Sequence, residues 1–213
     1  MSGETDRPDD SRIARSPTAA AARAVLRRSL LDARRRLSAP GRHAANEALL
    51  ERLEALLGDV ARESIALYWP VRGEPGLDPL PQRWARAGAR LALPVVESPS
   101  APLRFVAWCP GEPTVPGAHG IPRPVGDEAL RPTLLVVPCV GFDAWGYRLG
   151  YGGGYYDRSL AALDADGGPP PRAIGVAWDE ALIEGFEPLP TDRPLDAVVT
   201  PSRVLRLRAP GGC

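Results

Sequence analysis

The sequence predicts an α/β fold: a single three-layer domain with a mostly parallel central sheet and helices on both faces, preceded by an N-terminal helical pair. Three observations predict it. Leucines recur at helical spacing through the first quarter of the chain. From residue 64 the period changes, and short apolar runs bounded by Pro, Gly or charge follow one another. Helical patterns fall between some of these runs, and alternating strands and helices build a parallel sheet covered on both sides. A chain of 213 residues with 44% hydrophobic content suits one packed domain, since domains run to about 150 residues.

The elements follow in order. Residues 1–18 are polar, charged and proline-containing and read as a disordered arm. The spacing of Leu26, Leu30 and Leu37 predicts a helix over 19–37, with Arg23, Arg27 and Arg34 on another face and Ala39-Pro40-Gly41 as its stop. A second helix is predicted over 43–57 from Leu49, Leu50, Leu53, Leu56 and Leu57, with Gly58 as cap. Strands are predicted over 64–69, 90–96, 103–108, 133–137, 172–178 and 197–200, and helices over 79–87 and 155–163, with a shorter one near 180–184. The Pro/Gly-rich stretch 103–124 reads as an antiparallel excursion, 166–171 as a surface loop and 207–213 as a flexible tail. The α/β domain thus spans 19–206.

Composition excludes several chemistries. Lys+Arg is 26 and Asp+Glu is 26, and every one of the cations is an arginine. Without lysine there is no Schiff base, which removes pyridoxal enzymes and lysine aldolases. There is no G-K-[ST], so an ordinary P-loop is out. A net charge of zero argues against a nucleic-acid-binding protein. No run of about 18 apolar residues predicts a membrane span, and the polar N-terminus has no apolar signal segment. The reading is a cytoplasmic protein. Cys109, Cys139 and Cys213 are widely spaced and read as free thiols, and His43 and His119 are unclustered. A bound metal is therefore expected to be a hard cation on carboxylate oxygens.

One segment carries the chemistry. After the apolar run ending at Val137 come Gly141, Gly146, Gly150, Gly152, Gly153 and Gly154, and then a helix from about Tyr155. Strand, glycine loop and helix N-terminus form an anion cradle: backbone N–H groups close on phosphate oxygens, and the helix end adds about half a positive charge. Arg148 offers a bidentate cation to the same phosphates. Asp157, in the helix's first turn, either favours that helix end or holds Mg²⁺.

The stretch Phe142 to Arg158 reads F-D-x-x-G-x-R-L-G-x-G-x-G-Y-Y-D-R and resembles the signature of the 5-formyltetrahydrofolate cyclo-ligases, also called methenyltetrahydrofolate synthetases. Arg23 to Arg27 resembles the family's N-terminal K-x-x-L-R. Tyr68 to Glu74 resembles its strand and turn with a substrate-binding Glu, and Gly120 to Pro124 its G-I-P-x-P. Leu189 to Asp192 and Leu195 to Thr200 resemble its C-terminal motif. The likeness covers about residues 20–205. There are departures. Arg23 stands where Lys is frequent, Tyr151 and Gly153 where some members have Arg and Lys, and Thr191 where His is common. The residues after Glu74 also differ from the usual acidic-Thr step.

The resemblance implies ATP- and Mg²⁺-dependent conversion of 5-formyltetrahydrofolate to 5,10-methenyltetrahydrofolate, with ADP and phosphate as products, by phosphoryl activation of the formyl oxygen and attack by N10. It implies catalytic roles for Arg148 and Tyr155. It implies ATP binding by Arg23, Arg27 and residues 148–156, that is Arg148, Leu149, Gly150, Tyr151, Gly152, Gly153, Gly154, Tyr155 and Tyr156. Folate contacts would come from Trp69, Glu74, Tyr151, Gly152, Gly153, Gly154 and Tyr155, and Mg²⁺ contacts from Asp157 and Asp192. The implied partners are two small-molecule substrates, with no nucleic acid, no membrane and a monomeric chain. From the residues alone two other classes stay open: another enzyme on a related α/β scaffold, such as a sugar-phosphate isomerase or CoA transferase, and a binder that keeps the cradle without turnover.

Overall fold

The computed structural model describes residues 17–207. Of the arm expected at 1–18 and the tail at 207–213, residues 1–16 and 208–213 lie outside the described residues. Two long helices, α1 (Pro17–Arg36) and α2 (Ala39–Leu57), lead into a seven-stranded sheet. Its strands are β1 (Ser64–Ala66), β2 (Arg90–Val95), β3 (Arg104–Ala107), β6 (Leu134–Pro138), β9 (Arg172–Val176), β10 (Ala197–Val199) and β11 (Val204–Arg206). The order is β11-β10-β9-β6-β1-β2-β3; the inner five are parallel and the two edge strands antiparallel. Two small hairpins complete the β structure: β4 (Thr114–Pro116) with β5 (Pro122–Pro124), and β7 (Gly141–Phe142) with β8 (Arg148–Leu149).

The alternation of side chains along each strand sorts the core into two layers. Leu134 and Val136 of β6 face one way, with Ile65, Leu91, Ile174 and Val199, under Leu49 and Leu53 of α2 and Trp84 of α3 (Leu80–Ala87). Leu135 and Val137 face the other way, with Ala92, Phe105, Ala173 and Val198, under Leu160 of α4 (Tyr155–Ala165). The predicted three-layer α/β architecture is the one observed.

Three local readings are corrected. Pro40 does not end a helix but opens one: Ser38 caps α2, its hydroxyl accepting from the Gly41 N–H at 3.4 Å. Proline is tolerated in a first turn, where N–H groups have no helical partner anyway, so α2 begins four residues earlier than its leucine stripe suggests. The helix near 180–184 is a single 3-10 turn, Asp179–Ala181. The strand predicted over 64–69 ends at Ala66; Leu67 and Tyr68 stay buried as the chain leaves the sheet.

Candidate active site

From β1 the chain moves outward on one side to β2; from β6 it moves the other way to β9 and β10. Such a reversal opens a crevice beyond the C-terminal ends of the two central strands. A cavity of about 440 Å³ lies there. Its walls are Tyr68 to Glu74 after β1, the end of β2, the hairpin β4–β5, and the glycine loop with the start of α4.

The glycine loop is mounted on the hairpin β7–β8. Asp143 shapes that hairpin: its buried Oδ1 accepts the N–H groups of Trp145 at 2.9 Å and Tyr147 at 2.8 Å. This side-chain turn, set by an Asp two and four residues ahead of its donors, delivers Arg148 to the cavity. Gly154 then precedes α4 in a left-handed conformation (φ 63°) with no side-chain cap on the helix. The first-turn N–H groups of α4 are thus left without a capping side chain, and the helix start itself lines the cavity.

Asp157 does not cap that helix. Its Oδ1 accepts from the backbone N–H of Arg193 at 3.1 Å and pairs with Arg148 at 3.1 Å. Arg148 is buried, lies over the Tyr156 ring, and donates to the Arg193 carbonyl at 3.2 Å. The neighbouring Asp192 is held alike: its Oδ2 accepts from Leu189 N at 2.8 Å and pairs with Arg23 at 2.9 Å. The segment 187–193 therefore ties α1 to the glycine loop: Asp192 pairs with Arg23, and the Arg193 backbone bonds both members of the Arg148–Asp157 pair. Each pair engages a single oxygen of its carboxylate. Among the described residues no three His, Cys, Asp or Glu side chains cluster to hold a metal. Two carboxylates with one oxygen each to offer match a hard cation that takes its remaining ligands from phosphate and water, not an all-protein cage.

Helix α1 adds the rest of the positive charge. Arg27 donates to the Gly150 carbonyl at 2.7 Å and lies against Gly152. Burial, and second the charge of Arg23, hold Arg27 below its ordinary pKa. A bound anion would relieve that repulsion. Arg34, fully buried, reaches deeper, donating to the Cys139 carbonyl at 2.7 Å and the Tyr151 hydroxyl at 3.1 Å.

Glu74 is buried beside the loop, and each of its oxygens has one donor: Tyr151 OH to Oε1 and Val71 N to Oε2, both at 2.9 Å. Burial raises its pKa above the carboxylate range, against the pull of those two hydrogen bonds. The Tyr151 hydroxyl is pushed up to about 12, by burial first and then by Glu74, and so stays protonated and donating. Cys139 is likewise raised to about 12 by burial, which leaves it an inert thiol.

With this geometry in hand, the comparisons with known proteins decide the family. The sequence pattern of the 5-formyltetrahydrofolate cyclo-ligase family matches residues 19–201. The chain belongs to that family. A 5-formyltetrahydrofolate cyclo-ligase of Escherichia coli (strain K12) is 36% identical over 151 residues, covering 68% of this chain and 81% of the relative. One from Mycolicibacterium smegmatis is 31% identical over 187 residues, covering 84% and 93%. An NMR structure of Aquifex aeolicus 5,10-methenyltetrahydrofolate synthetase superposes with a TM-score of 0.75 at 32% identity, covering 90% of this chain and 95% of the other. This cyclo-ligase family member is thus an enzyme that acts on small molecules, and no described helix is long and apolar enough to cross a membrane.

The fold brings most of the sequence-predicted residues together. Trp69, Glu74, Arg148, Gly150, Tyr151, Gly153, Gly154, Tyr155, Tyr156 and Asp157 all line the cavity. Trp69 also packs edge-on against Trp108, at 6.3 Å between ring centroids, and so belongs partly to the core. Arg23, Arg27, Gly152 and Asp192 stand just behind the cavity wall, joined to it by the contacts above. Leu149 is different: its side chain is fully buried in the core, and only its backbone, accepting from Val140 N at 3.0 Å, serves the loop.

Sequence reasoning missed Arg34, Arg72, His119 and Arg123. The signals were present. Arg34 shares a helix face with Arg23 and Arg27, and Arg72 and Arg123 sit inside the quoted motifs. His119 was set aside because no second histidine or cysteine is near it in sequence, yet its Nε2 lies 3.5 Å from the Tyr155 hydroxyl.

Proposed function

We propose that this protein converts 5-formyltetrahydrofolate to 5,10-methenyltetrahydrofolate at the expense of ATP, giving ADP and phosphate. The observation that carries this reading is that two kinds of group line a single cavity. One is a buried carboxylate gripped by a tyrosine, suited to a heterocycle rich in N–H donors. The other is an uncapped helix start with a glycine loop and arginines, suited to phosphates.

The formyl group on N5 is an amide, hence a poor electrophile with a poor leaving oxygen. That oxygen attacks the γ-phosphorus; the O–P bond forms as the bond to ADP breaks. The N10 lone pair then attacks the formyl carbon, N10 loses its proton, and phosphate departs with the C–O electron pair. The first step needs positioning and charge stabilisation, which Arg148, Arg23, Arg27 and the loop N–H groups suit. The second is intramolecular and gains from alignment alone. Glu74 has lone pairs left on both oxygens to accept from the pterin. Tyr151 and Tyr155 supply flanking rings, and Trp69 a third. Asp157 and Asp192 would hold Mg²⁺ by their remaining oxygens, and the ion would supply neutralisation of the phosphate charge.

The test is direct. Incubated with 5-formyltetrahydrofolate, ATP and Mg²⁺, the protein should produce the methenyl chromophore with one ADP per turnover. Absence of the chromophore in a preparation that binds ATP overturns the reading in favour of a non-catalytic binder. A chromophore that forms equally without ATP overturns the phosphoryl mechanism.

A further inference from the structure

Among the described residues only two that are not glycine have positive φ: Arg72 (51°) and His119 (58°). Both line the cavity. A left-handed residue other than Gly or Asn is strained and persists where the surroundings impose it. Arg72 is fixed in this way by the turn before Glu74. Glu74 N donates to the Val71 carbonyl at 3.0 Å, Val71 N to Glu74 Oε2, and Trp178 Nε1 clamps the Gly73 carbonyl at 2.8 Å. His119 stands at the tip of β4–β5, the hairpin whose cavity-lining arginine is Arg123. Three arginines line the cavity: Arg72, Arg123 and Arg148. Arg148 is committed to Asp157. Arg72 and Arg123 have no ion-pair or hydrogen-bond partner among the described residues; Arg72 only overhangs the Tyr151 ring at 5.2 Å. The turn thus holds one exposed guanidinium, in a strained conformation, beside the pterin end. The hairpin brings a second, half-buried guanidinium to the same cavity. Neither is bonded to the Arg23–Asp192 or Arg148–Asp157 pair ascribed to the nucleotide.

We infer that Arg72 and Arg123 form a carboxylate-binding rim that grips the glutamyl tail of the folate substrate. This rests on the cyclo-ligase reading above and extends it to substrate specificity. A folate bound by its pterin at Glu74 must lead its p-aminobenzoyl group outward past Tyr151, and the two glutamate carboxylates then need cations at the cavity mouth. Guanidinium groups suit them because they pair with carboxylates in bidentate fashion. His119, edge-on to Tyr155 at 6.3 Å, closes the same wall.

The test compares 5-formyltetrahydrofolate with 5-formyltetrahydropteroate, which keeps N5, N10 and the ring but lacks the glutamate. In the wild type, kcat/KM should favour the full substrate. Arg72→Ala and Arg123→Gln should each reduce that preference about tenfold, since hydrogen bonds to charged groups typically contribute that much or more. The loss should appear in KM for the folate and not in KM for ATP, and Arg72→Lys should recover part of it. Alanine is chosen at position 72 because it keeps the strain of the turn. Equal losses on both substrates, or a rise in KM for ATP, would overturn the rim. Quenching of tryptophan fluorescence by the two compounds without ATP gives the same comparison as binding. If turnover is absent altogether, the cyclo-ligase reading fails, while the rim still stands or falls on whether Arg72→Ala erases the binding preference.

Discussion

Single residues divide the cavity into two chemistries, and two of them allow a sharp test. Glu74 is buried, so its pKa lies above that of an ordinary carboxylate. The sign follows: on acidification Glu74 takes up a proton before an exposed carboxyl does and loses acceptor capacity toward the pterin. In the wild type, kcat/KM for the folate should therefore fall with acid through an inflection above the normal carboxylate value of 4.5. Glu74→Gln should abolish that inflection and lower kcat/KM; a profile identical to wild type contradicts the role. Arg148 is the second. Arg148→Ala should slow turnover about 100-fold or more, the magnitude typical of a lost transition-state cation or donor. Because Arg148 also holds Asp157, Asp157→Asn should separately raise the Mg²⁺ concentration needed for half-maximal rate. An unaltered metal titration would instead limit Asp157 to its structural bonds with Arg148 and Arg193. Arg148, Glu74 and Asp157 were legible in the sequence because they sit inside long motifs. Arg34 was less so: its role depends on a carbonyl and a tyrosine more than a hundred residues away.

At the scale of elements, helices and inner strands were readable from periodicity because each buries a continuous stripe or run. The pieces missed are the shortest. Strands β7 and β8 have two residues each and no alternation to detect; the side chain of Asp143, bonded to N–H groups across the turn, holds them. Strand β11 pairs with β10 at the sheet edge, where only part of its surface is covered. Yet β7–β8 carries the loop that makes the site, and the packing of that loop explains one departure from the family pattern. A Cβ on Gly153 would lie 2.7 Å from the Tyr155 ring. A side chain there must displace Tyr155, which Arg158 backs from 5.1 Å. Gly153→Lys should therefore restore a loop cation and still lower turnover, with a raised KM for the folate. A gain in kcat would show that the ring moves freely. Helix α1 presents the complementary case. Replacing both Arg23 and Arg27 by Ala should raise KM for ATP about tenfold or more, from two lost charge-assisted contacts, with little change in KM for the folate.

The whole molecule sets where these pieces meet. Reversal of strand order between β1 and β6 opens the crevice, and the antiparallel hairpin β4–β5 closes one side of it. The crevice depends on the strand order, which the sequence did not reveal, and the hairpin's part in it was hidden too, since nothing in a Pro/Gly-rich stretch says which way it folds back. The arginine-only composition takes on a definite meaning here. Every cation near the site is permanently charged and able to pair in bidentate fashion, so the site sorts anions by placement and not by titration. The arginines proposed for the nucleotide lie on α1 and the glycine loop; those proposed for the rim lie on the turn before Glu74 and on the hairpin β4–β5. The central claim is that both substrates occupy one cavity and that ATP is consumed to activate the formyl oxygen. The most direct measurement uses 5-formyltetrahydrofolate labelled with ¹⁸O in the formyl group and follows the label with ATP and Mg²⁺ present. The expected result is methenyl product, one ADP per turnover, and the label in the phosphate released. Label in water, with phosphate unlabelled, would contradict it.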